Sequence, residues 1–146
     1  MRTTSSSGFT LLELLVAVVV LAIALGFGIP AFSSSLRTHS LHDAVDGMAG
    51  QIRLARQLAI ASSADRPMHF REDSLGTDYH VHNPDGSITG WQLPAGVHFD
   101  PAAGVPPGFV FHPSGRASQS GTLVLVNDLG QTDSLTVQLS GFVLAH

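Results

Sequence analysis

From Phe9 to Phe32 the chain carries one charge, Glu13, in an otherwise apolar run. At about 1.5 Å per residue a helix of that length crosses the roughly 30 Å hydrocarbon layer of a bilayer. The run can therefore span a membrane once, and whatever follows must fold on one side of it. An ionised carboxylate one helical turn inside the apolar boundary is unfavourable by up to a few kcal/mol unless it is paired. Glu13 is thus a site candidate, with a side chain snorkelling to lipid headgroups as the bland alternative. Ahead of the run, Met1 to Gly8 is polar, with Arg2 its one charge, and is too short and hydrophilic to span. A secretory signal peptide places its small-residue cleavage site after the apolar stretch, whereas here Gly8 precedes it. Arg2 and Arg37 flank the run on opposite sides, so charge bias sets no orientation. Gly26, Gly28 and Pro30 weaken the helix near its far end and predict a bend or local melting. Both residue types are also common in membrane helices, so the two readings stand together.

The remainder of the 146 residues suffices for one modest core and not two. Cysteine is absent, which removes disulfides, thiolate metal sites and a cysteine nucleophile. The net charge is −4 and there is no lysine, a balance that argues against a broadly basic nucleic-acid-binding face.

After Ser33-Ser34-Ser35, Leu41, Val45, Met48, Ile52, Ala55 and Ala59 recur at alternating intervals of three and four. This spacing predicts an amphipathic helix whose apolar face covers a sheet. Asp43, Asp46, Arg53 and Arg56 fall on the other face and read as solvated. The helix is expected to end near Ser62-Ser63, with Pro67 soon after. Beyond Pro67 the chain is rich in glycine and in short runs of valine, leucine and phenylalanine. Strands are predicted near 68–71, 78–82, 88–93, 97–100, 109–112, 122–126, 134–139 and 142–144. Asn83-Pro84-Asp85-Gly86 and Asn127-Asp128-Leu129-Gly130 read as tight turns between antiparallel neighbours. Pro101 to Pro107 reads as an ordered loop. The expected class is α+β: a long amino-terminal helix, half apolar and half amphipathic, with its second half on antiparallel sheet.

Gly8-Phe9-Thr10-Leu11-Leu12-Glu13 resembles the type IV prepilin signature, a glycine before a phenylalanine with a glutamate shortly after it. The resemblance implies cleavage between Gly8 and Phe9 by a prepilin peptidase, N-methylation of Phe9, and an inner-membrane subunit with a single span and a periplasmic head. It also implies that Glu13 pairs with the free amino terminus of a neighbouring subunit during filament assembly. Two further stretches, Gln51 to Ile60 and Phe111-His112-Pro113-Ser114-Gly115-Arg116, resemble segments of the GspH/FimT family of minor pseudopilins and minor pilins. The chain then divides into a leader (1–8), a transmembrane and filament-core helix (9–32), an amphipathic helix (33–63) and a β-rich head (64–146). Its implied partners are the peptidase, other pseudopilins or minor pilins, and the inner-membrane assembly platform. A minor pseudopilin of a type II secretion pseudopilus is the first reading. A FimT-like minor pilin of type IV pili is the second, and a membrane-tethered periplasmic ligand- or metal-binding domain the third.

Other chemistry weighs less. His80 and His82 are two apart on an expected strand and point the same way, so they can offer two imidazoles to a metal. A third ligand among His69, His98 and His112 cannot be placed, and scattered surface histidines are the preferred reading, with no metal and no cofactor expected. No nucleophile elbow, phosphate loop or dinucleotide fingerprint occurs, so the chain is not read as an enzyme. FimT-like pilins in some bacteria take up DNA, which the resemblance ties to arginines in a flexible carboxyl-terminal tail, and here no arginine follows Arg116. Arg116, Arg53 and Arg56 are the candidates for a weak DNA contact, and the alternative for Arg116 is a turn arginine packing on its own loop.

Overall fold

The computed structural model describes residues 9–71 and 76–146, and within residues 26–33 the backbone only. One helix, α1 (Leu11–Ser62), precedes eight strands: β1 (Arg66–Phe70), β2 (Tyr79–His82), β3 (Ile88–Trp91), β4 (Val97–Phe99), β5 (Gly108–Phe111), β6 (Gly121–Asn127), β7 (Thr132–Val137) and β8 (Val143–Ala145). The backbone is helical through Gly26, Gly28 and Pro30, so the melting allowed for at these residues is not observed. The chain divides into two compact units, one ending at Leu36 and the other Arg37–His146.

In the first unit every described side chain from Phe9 to Leu25 is exposed. Phe9 is 78% exposed and Leu11 83%, and the valines and leucines that follow are exposed on all sides of the helix. A helix that is apolar all round is suited to lipid or to a bundle of other helices, not to water. Among the described residues no helix is long and apolar enough to cross a membrane. The expected span of residues 9–32 continues into residues whose side chains lie outside those described.

In the second unit the eight strands form two antiparallel sheets, ordered β3-β2-β1-β5 and β4-β6-β7-β8. Leu41, Val45, Met48, Ile52, Ala55 and Ala59 of α1 are all buried, joined by Ala44 and Ala49. Within the sheets, alternation puts Met68 and Phe70 of β1, Leu123 and Leu125 of β6, and Leu135 and Val137 of β7 into the same core. Phe70 ties the sheets together, with its ring centre 5.6 Å from that of Phe109 in its own sheet and 6.2 Å from that of Phe99 in the other. The segment after β5 stitches them further: Ala117 N–H donates to the Leu139 carbonyl and Ser118 N–H to that of Val110.

Four turns share one geometry. In residues 83–87, 112–116, 127–131 and 138–142, the first N–H donates to the fifth carbonyl and the fourth N–H to the first carbonyl. The fourth residue is Gly86, Gly115, Gly130 or Gly141, each with φ between 73° and 82°. That left-handed conformation favours glycine. Two of these turns were expected from their Asn and Asp content, and Gln138-Leu139-Ser140-Gly141 was not.

Candidate functional site

At the start of α1, Thr10 and Glu13 satisfy one another. Thr10 N–H and Oγ1–H each donate to Glu13 Oε2 at 3.0 Å, and Glu13 N–H donates to Thr10 Oγ1 at 3.2 Å. This is a capping box, with Thr10 as the residue before the helix and Glu13 at its third position, and it satisfies backbone donors that would otherwise be orphaned. The sequence carries the pattern openly as Thr-x-x-Glu before an apolar run, and the reading of Glu13 as an assembly residue passed over it. The cap leaves Glu13 exposed beside exposed Phe9. Gly8 lies outside the described residues.

The head closes around α1 through polar contacts that originate on turns. Asn127, buried at the end of β6, accepts the N–H groups of Leu129 and Gln131 at 3.0 Å through Oδ1 and donates through Nδ2 to Gln131 Oε1 at 2.8 Å. The same amide reaches the Arg37 carbonyl at 3.4 Å, and Thr38 Oγ1–H donates to Gln131 Oε1 at 2.9 Å. Next to this, His42 pairs with Asp133, and the Asp133 carboxylate, through its hydrogen bond and its charge, raises the His42 pKa above the usual imidazole value.

Arg53 is exposed, as expected of a solvated face, and Arg56 is half-buried, and both guanidinium groups reach back to the head. Arg53 donates to the Val143 carbonyl at 3.2 Å and Arg56 Nε donates to the Gly115 carbonyl at 2.8 Å. Arg116 follows directly in the 112–116 turn and is exposed. Arg53 and Arg56 are thus engaged on carbonyls, Arg56 on the turn that carries Arg116.

Of the histidines, His69, His80 and His82 cluster on the face of the first sheet turned away from the core, since Met68, Phe70, Tyr79 and Val81 alternate with them and are buried inward. His80 is fully buried, so the reading of scattered surface histidines does not describe it. His98 lies in β4 of the other sheet, and His112 pairs with Asp65 at 2.9 Å.

A family model for the prokaryotic N-terminal methylation motif matches residues 3–29, and the model for type II transport protein GspH matches residues 44–141, more than half of the chain. The chain belongs to the GspH family. Among solved structures, this GspH-family chain is similar to the type IV minor pilin FimU of Pseudomonas aeruginosa, with 13% identity, 75% of this chain and 90% of that one covered, and a TM-score of 0.58. It is also similar to the minor pseudopilin EpsH from the type 2 secretion system of Vibrio cholerae, with 18% identity, 73% and 96% covered, and a TM-score of 0.54. At these identities the likeness establishes the fold: an amino-terminal helix packed on antiparallel sheet. No curated protein matches the chain significantly.

Proposed function

We propose that the chain is a minor pseudopilin, a structural subunit of a type II secretion pseudopilus that is cut between Gly8 and Phe9 by a prepilin peptidase and methylated on Phe9. The observation that carries the reading is the pairing of a GspH-family head with a helix that exposes apolar side chains on every described face from Leu11 to Leu25. Such a helix needs first a bilayer and then a filament core to cover it. The span of residues 9–32, the inner-membrane location and the periplasmic head belong to this proposal. So do a bend at Gly26, Gly28 and Pro30, which would fit the helix among its neighbours, and partnership with sister pseudopilins and the assembly platform.

Glu13 has two roles in this account. In the isolated subunit its carboxylate caps α1 through Thr10. In the filament it accepts the charged amine of an adjacent Phe9, which replaces an unfavourable lone charge in lipid by an ion pair.

The likeness to FimU supports a second reading, a minor pilin of type IV pili. Deleting the gene from the source bacterium separates the two. Loss of secreted enzymes with pilus-driven motility intact, restored by the chain, is the expected result. Intact secretion with lost motility would replace the first reading by the second.

A further inference from the structure

We propose that Phe142 of one copy of this chain docks into the cleft formed by Leu54, Leu58, Val81 and Trp91 of a second copy standing beside it. The proposal rests on the reading of the chain as a filament subunit, which holds anchored copies side by side with the same end up. The cleft, of about 210 Å³, lies between α1 and the strands β2 and β3. Leu54 and Leu58 on its helix side are left 45% and 38% exposed. Gln51 and Asn83 supply polar lining, and Gln51 Oε1 is buried with no hydrogen-bond partner among the described residues. Apolar walls beside a buried acceptor ask for a large apolar side chain that arrives with a donor. Phe142 is 61% exposed and ends the 138–142 turn, where its carbonyl accepts the Gln138 N–H at 2.9 Å. The same turn carries the exposed hydroxyl of Ser140. An aromatic ring on a backbone pinned in this way is the kind of side chain that anchors an interface.

Position and charge point to a second copy as the occupant. Arg53 and Arg56 line a cleft with Phe142. At about 100° per residue, these arginines fall on one side of the buried stripe through Ile52, Ala55 and Ala59, while Leu54 and Leu58 fall on the other. Knob and cleft therefore sit at one level of α1 and face opposite ways around it. Two copies with parallel helices can bring Phe142 of one to the cleft of the next, an unlike pairing that repeats from copy to copy. The charges agree with this pairing. Arg53 and Arg56 keep their positive charge while donating to carbonyls on the Phe142 side. On the cleft side, Asp85 is exposed in the turn that starts at Asn83. The Ser87 hydroxyl and N–H donate to it at 2.7 and 2.9 Å and hold its carboxyl below the usual range. Arg66 is buried and donates to Asn83. Opposite signs across the contact favour this orientation over one that sets like sides together.

The chain has no cysteine, so disulfide crosslinking reads the contact without background. Full-length chains carrying Phe142→Cys and Leu58→Cys, each with its own epitope tag, are expressed together in the source bacterium lacking the wild-type gene, and membranes are oxidised with copper phenanthroline. A mixed dimer bearing both tags is expected, with little dimer from either variant alone because the contact joins unlike surfaces. Adding Leu54→Asp to the Leu58→Cys chain is expected to cut the mixed dimer about tenfold or more. Phe142→Cys with Leu129→Cys, an exposed leucine in the 127–131 turn, should give none. All the substituted side chains are exposed, and protease resistance of each head checks that it folds. Absence of the mixed dimer from folded chains would overturn the proposal, as would an equal yield from the Leu129→Cys pair or from either variant alone. Recovery of the same chains in sheared filaments is scored in parallel. Chains present in filaments without the crosslink would overturn this contact alone, whereas chains absent from both would also overturn the filament reading.

Discussion

Arg56 donates its Nε–H to the carbonyl of Gly115 at 2.8 Å, which ties the last turns of α1 to the turn that carries Arg116. Gly141 lies against the same pair. With φ at 77°, its added Cβ would collide with the Gly115 carbonyl and approach the Arg56 guanidinium within 2.7 Å. Gly141→Ala is therefore expected to lower head stability by about 1–3 kcal/mol. Arg56→Ala should cost about 1–2 kcal/mol through the buried carbonyl it leaves without its donor. Thermal or urea unfolding of the two variants checks both values, and an unchanged Gly141→Ala protein would contradict the turn geometry.

The Thr10 and Glu13 cap predicts a local effect. Thr10→Ala should destabilise the first turn of α1 by about 1 kcal/mol, seen as faster amide exchange at Leu14 and its neighbours in micelles. The unfolding midpoint of the head should stay where it is, because the hydrogen bonds of the cap run between Thr10 and Glu13.

A third prediction concerns pH. Asp133 holds the His42 pKa above its ordinary value near 6.5, so His42 binds its proton more tightly in the folded head than in the unfolded chain. The stabilisation is fully present below about pH 6.5 and fades as pH rises through the raised folded value. The imidazole is exposed, so the effect is small. Histidine titration by NMR should show the His42 midpoint fall in Asp133→Asn, and a midpoint unmoved by that change would remove the pair from the account.

The acidic balance and the engagement of Arg53 and Arg56 on backbone carbonyls predict no salt-dependent affinity for double-stranded DNA. Fluorescence anisotropy at low and physiological salt should be flat. Saturable binding that collapses with salt and disappears in Arg116→Ala would assign the chain to DNA uptake.

What the sequence could convey depended on how local each feature is. The helix ends at Ser62, where its stripe runs out, and all eight strands lie within a few residues of their expected positions, because periodicity and turn residues act over short distances. The division into two sheets was not legible. It rests on β1 pairing with β5 and β4 with β6 across intervening strands, and alternation within a strand does not name its partner. Helical spacing places Arg53 and Arg56 off the apolar stripe, and Arg53 is exposed accordingly, but the carbonyls they reach, Val143 in β8 and Gly115 in a turn, lie far along the chain and were not legible. His80 and His82 were correctly placed on one face, but His69 joined them only through the register of β1 with β2, a tertiary fact.

The central claim is that Glu13 directs assembly of a helix-cored filament. Its most direct measurement is recovery of a Glu13→Val variant in filaments sheared from cells, alongside its processing and membrane fractionation. The account predicts a variant that is cleaved after Gly8 and inserted in the membrane but absent from the filaments. Recovery in filaments at the wild-type level would contradict it.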